Sequence, residues 1–93
     1  MLITILGKRW NFRRQHKLTL DGRKVDGKCD PPTCPRKEIV IDERLTGERE
    51  LDVIVHEMLH AAGWHLDHGY VTEFASDVAR VLTKLGYRRS TEG

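Results

Sequence analysis

The residues best equipped for chemistry lie in one decapeptide, Val53-Ile54-Val55-His56-Glu57-Met58-Leu59-His60-Ala61-Ala62. His56 and His60 are four positions apart, so on a helix both imidazoles stand on one face, about one turn from each other. That spacing lets two neutral ring nitrogens share one metal ion, and zinc is the ion such a pair suits best. Glu57 projects beside them without being a ligand itself, placed to hold a water and take its proton. No proline, and no charged residue besides Glu57, interrupts Val53 to Trp64. Leu51, Ile54, Val55, Met58, Leu59 and Ala62 supply a buried helix face. Polar groups set into such a face need a partner, because burying them unpaired is costly.

The surrounding elements must hold this segment. The chain has 93 residues, enough for one domain over residues 1–93 with a single core. A metal tying two elements together would help stabilise a domain so small. Leu2 to Leu6 reads as a first strand ended by Gly7. Trp10 to Leu20 is ambiguous between helix and strand. Asp21 to Pro35 holds all three prolines and several turn signals, so an exposed loop is expected. Glu38 to Asp42 is the clearest strand, β-branched at its centre. Thr46 is placed to cap a helix over Gly47–Ala62, with Glu48 and Glu50 near its positive end and Gly63 as its stop. A second helix is predicted from Gly69 to Leu85, with Phe74, Val78 and Val81 inward, followed by a polar tail from Tyr87 to Gly93. The expected fold class is α+β: a small, mainly antiparallel β-sheet packed against two antiparallel helices.

Two histidines do not complete a catalytic zinc site, which takes a third protein ligand and leaves one position to water. Candidates are His65, His68, Glu73, Asp77 and, less readily, a cysteine. Glu73 is preferred, since the second helix must fold back over the first and its inward stripe sets Glu73 and Asp77 together on an adjoining face. The longer metzincin pattern is nearly met. Gly63 sits three residues after the second histidine, but the sixth position is Leu66 rather than histidine, and no methionine follows Met58.

His56-Glu57-x-x-His60 with Glu73-Phe74-Ala75-Ser76-Asp77 resembles the gluzincin metallopeptidases, over roughly Glu38 to Tyr87. The likeness is greatest to small bacterial and phage proteins related to SprT-like and ImmA-like zincins. That resemblance implies a minimal zincin-like domain and a zinc-dependent peptidase. His56, His60 and Glu73 would hold Zn2+, Glu57 would act as general base, and Asp77 would hydrogen-bond a ligand histidine. His68 or Tyr70 would then be the oxyanion donor. An exposed edge at Glu38–Asp42 would bind an extended peptide by strand addition.

Other readings stay open. Lys8, Arg9, Arg13, Arg14 and Lys17 interleave with Trp10 and Phe12, as a nucleic-acid surface would and as the solvated side of an ordinary strand would. A zinc-containing nucleic-acid-associated or protein-interaction module without proteolysis is therefore the alternative. Cys29 and Cys34 lack a second pair for a four-cysteine site and are expected as free thiols, with a thiolate cap on the metal as the sharper idea. Net charge is +2. No apolar run reaches membrane-spanning length and no signal-peptide pattern opens the chain, so a cytoplasmic setting without membrane contact is expected.

Overall fold

The computed structural model describes residues 1–90. Its first reversal is the one Gly7 announces. Leu6 and Gly7 both have positive φ, 49° and 76°, the conformation of a two-residue hairpin turn. They join β1 (Leu2–Ile5) to β2 (Lys8–Gln15) in an antiparallel pair, with Ile5 opposite Lys8. Within β2 the period-two alternation decides the ambiguous stretch: Trp10 and Phe12 face the core, while Arg9 and Arg13 stand on the other side.

A small separate hairpin follows, β3 (Thr19–Leu20) with β4 (Arg23–Lys24), reversed at Asp21 and Gly22, which have φ of 51° and 78°. The predicted loop Asp21 to Pro35 is therefore partly structured. It also contains β5 (Gly27–Cys29), which pairs antiparallel with β6 (Glu38–Asp42). The sheet order is β1-β2-β6-β5, with β2 and β6 parallel and the other two pairings antiparallel. This corrects the expectation that Glu38–Asp42 is an edge. β6 lies inside the sheet, and Ile39, Val40 and Ile41 are fully buried, because both of its neighbours satisfy its backbone. The edge next to β6 belongs to β5.

Beyond β6, Asp42 fixes the turn into the first helix. Its carboxylate accepts from Leu18 N–H at 3.1 Å, Arg44 N–H at 2.9 Å and the Arg44 guanidinium at 3.0 Å. The Arg44 side-chain bond, then its backbone bond, holds the carboxyl well below the usual carboxylate range.

Helix α1 spans Gly47–Ala62 and ends at Gly63, whose N–H reaches Leu59 O at 2.8 Å. Thr46 occupies the N-cap position but its side chain makes no cap bond. The first turn is tied down by Glu50 instead, a buried carboxylate paired with Arg14 at 3.4 Å and with Arg89 at 3.0 Å. One face of α1, Val53, Glu57 and Ala61, lies on the sheet and joins the core cluster of Trp10, Phe12, Ile39 and Ile41. Helix α2 (His68–Lys84) packs against α1. The layers run sheet, α1, α2.

α2 is rotated from the expected orientation. Val71, Ala75 and Ala79 are fully buried, whereas Phe74 and Val81 are 45% and 53% exposed. Both stripes have helical spacing. The small side chains of Ala75 and Ala79 let two helix backbones approach closely, and the seam forms there. Phe74 stacks on Tyr70 outside it, with ring centroids 6.0 Å apart. Of the polar tail, residues 91–93 lie outside the described residues. No helix among the described residues is long and apolar enough to cross a membrane.

Candidate metal centre

On α1, His56 and His60 project from one face as their spacing requires, with Nε2 atoms 3.1 Å apart. The third imidazole is His68, the first residue of α2. One ring nitrogen from each of His56, His60 and His68 can be chosen so that all three lie within 4.8 Å of one another. The His60 and His68 rings are stacked with centroids 5.4 Å apart, and His56 meets both edge-on. Asp67 seats His68: its carboxylate caps α2 by accepting from Tyr70 N–H at 3.0 Å.

The donor types are those zinc takes. Nitrogen ligands at ~2.0–2.1 Å in a tetrahedron stand roughly 3.4 Å apart; the His56–His60 separation is 3.1 Å and the whole group spans up to 4.8 Å, so gathering all three on one ion would draw His68 inward. Ligation needs neutral imidazole, and burial, then the charge of neighbouring histidines, pushes His56 and His60 below the ordinary histidine pKa. Glu57 stands beside Gly27 of β5 and lines the same cleft as the three histidines. It is buried and outside the histidine group, and burial raises its carboxyl from 4.5 to about 7. A carboxyl poised there can accept and release a proton near neutral pH.

Gly27 makes room for that carboxylate. A Cβ at position 27 would lie 2.8 Å from Val53 Cγ1 and 3.1 Å from Glu57 Oε2. Close approach of α1 to the edge strand therefore requires glycine. Sequence reading missed this residue, whose one signal was a glycine inside a run otherwise taken as loop.

Several expected site residues fall elsewhere. Glu73, expected as third ligand, is exposed and outside the histidine group. Five helical residues separate it from His68, a rotation of about 140°. With Val71 and Ala75 packed on α1, that rotation aims Glu73 away from the metal centre. Asp77 is exposed and ion-paired with Arg80, not with a histidine. Tyr70, expected as oxyanion donor, stacks on Phe74 on the flank opposite His68, and His68, the other expected donor, lies in the histidine group. His65 is exposed and lines a neighbouring cavity.

Cys29 is half-buried in the same cleft as the three histidines and Glu57. Its thiol donates to Asp30 O at 3.4 Å, and burial, then the charge of Glu57, pushes its pKa to about 12. It is outside the metal-binding group, and both cysteines are free. In the basic stretch, Arg13 is committed to Glu38 at 2.9 Å and Arg14 to Glu50. Lys8, Arg9 and Lys17 are exposed.

No family model, no curated protein and no solved structure matches this chain. The reading of the site rests on its own residues.

Proposed function

We propose that the protein is a zinc-dependent hydrolase of peptide bonds, with His56, His60 and His68 as ligands and Glu57 as general base. The observation that carries this reading is the pairing of three convergent imidazoles with a buried carboxylate that ligates nothing. A purely structural zinc site is closed by four protein ligands. Three histidines leave a position for water, and a structural site has no use for Glu57.

Bound there, zinc supplies a Lewis acid that polarises a carbonyl and acidifies water. The chain's own residues do the rest. Glu57, raised toward neutrality by burial, takes the proton of the attacking water and returns it to the leaving amine. Gly27 keeps the carboxylate in place. β5 offers the substrate a backbone to pair with: Asp26 O and Asp30 N bond to β6 at 2.8 Å and 3.0 Å, so by alternation Gly27 and Cys29 turn their peptide groups outward. An extended peptide added there would lie along the cleft that holds the histidines.

The test is Glu57→Gln, which preserves shape and removes the base. Zinc binding and thermal unfolding should match the parent protein while peptide hydrolysis falls by on the order of 10²–10⁴-fold. Hydrolysis at the parent rate would remove Glu57 from the mechanism.

A further inference from the structure

Beside the metal cleft lies a second cavity of about 710 Å³. Its walls are Ile5 and Leu6 from the β1–β2 turn, Pro31 and Pro32 from the segment after β5, and Trp64 and Leu66 from the α1–α2 connection. The last two also wall the metal cleft, so the two spaces adjoin. Trp64 marks the junction, packing edge-on against His60 with ring centroids 6.4 Å apart.

The connection is built to hold this shape. Leu66 N–H bonds Gly63 O at 2.9 Å, and the Leu66 side chain folds so tightly over Gly63 that a Cβ there would lie 2.7 Å from it. Two large apolar side chains, Trp64 and Leu66, are thereby left 40% and 41% exposed at the mouth of a groove, where burying them against a ligand is favourable. The described lining contains Lys8 and no carboxylate, so a cationic guest would find nothing to pair with and one ammonium to repel it.

The chain itself leads from one space to the other. β5 carries Gly27 against Glu57 and Cys29 into the metal cleft, and two residues later Pro31 enters the cavity wall. A peptide paired along the outer edge of β5 would run the same way.

We infer that this cavity is a specificity pocket, taking a bulky apolar side chain within two residues of the scissile bond and rejecting a basic one. The inference rests on the peptidase reading and adds the class of substrate to it. Volume is ample: small-molecule sites fall in the range of ~300–1,000 Å³, and one large apolar side chain fills only part of such a space.

The experiment compares three dipeptide hydroxamates, Leu-Leu, Gly-Gly and Lys-Lys, binding to the zinc-loaded full chain by calorimetry. Leu-Leu should bind at least roughly tenfold tighter than Gly-Gly, as burial of isobutyl groups predicts, and Lys-Lys no tighter than Gly-Gly. Ala62→Phe, which fills the cavity from the end of α1, should erase that gap. Thr33→Trp fills it from the opposite loop and should do the same if the helix variant folds poorly. Equal affinities for all three probes, or a gap that survives both fillings, would overturn the pocket. Zinc-loaded protein that binds none of the probes would overturn the metal-cleft reading as well, so the two failures are told apart.

Discussion

The two helices differ by one residue in length, yet they hold their functional groups in opposite ways. α1 packs against both the sheet and α2, and it carries His56, Glu57 and His60 in its C-terminal half. α2 is covered on one side only and contributes His68 from its first turn, at an exposed position. On the proposed reading, the general base and two of the ligands are held within a packed helix, while the third, His68, follows the Asp67 cap. A catalytic centre needs the first kind of support for the groups that move protons. A single ligand at a helix start can adjust to the ion.

That contrast can be broken most forcefully by removing ligands. His56→Ala or His60→Ala should weaken zinc binding by more than the roughly 10–100-fold typical for loss of an outer partner. His68→Ala should also weaken it strongly, whereas Glu73→Ala should leave it within about twofold. Competition against a chromophoric chelator measures all four. Loss of zinc in Glu73→Ala alone among the α2 variants would exchange the roles given to these residues.

The burial of Glu57 under α1 has a consequence for stability in metal-free protein. Its folded pKa, about 7 against 4.5, means that ionisation opposes folding. The penalty develops as pH rises above the unfolded value and is complete above the folded one. Glu57→Gln should therefore stabilise the chelator-treated protein by about 3 kcal/mol at pH 8 and by little at pH 4. Urea unfolding at the two pH values reads this directly. The same gain at both would contradict a buried, pH-dependent carboxylate.

Gly27→Ala sharpens the comparison from the side of the sheet. It should displace Glu57 by less than an ångström and lower kcat by about tenfold, below the roughly 10²-fold that a full ångström of misplacement can cost, with zinc affinity unchanged. Unchanged kcat would mean that β5 does not position the base. The smallest effect is expected at the weakly held end of α2. Asp67→Ala should cost about 1 kcal/mol of stability and loosen zinc a fewfold through His68, measurable by thermal unfolding with and without metal.

Much of the α1 half was legible in the chain. The helix bounds Gly47–Ala62 follow from a long apolar run ended by glycine, and the shared face of His56 and His60 from their spacing, but the buried face does not: Val53, Glu57 and Ala61 are buried while Met58 and Ala62, expected inside, are exposed. β6 was equally plain from its β-branched centre. β5 was not, because three residues, Gly-Lys-Cys, carry little strand propensity and form a strand only by pairing with β6. The position of His68 beside the other two histidines was not legible for a related reason. Phe74, Val78 and Val81 form the more hydrophobic stripe on α2, and apolar size is normally the better guide to burial. Close packing of Ala75 and Ala79 on α1 won instead, turning Glu73 outward and bringing His68 to the centre. His68 was among the candidates, but which face of α2 met α1 depended on tertiary contact.

The most direct test of the central claim is X-ray absorption at the zinc edge on protein loaded with one equivalent of zinc, for the parent chain and for His68→Ala. The account predicts three imidazole ligands plus one light-atom ligand in the parent chain and two imidazoles in the variant. An unchanged imidazole count in His68→Ala, or a sulfur ligand in the parent chain, would contradict it.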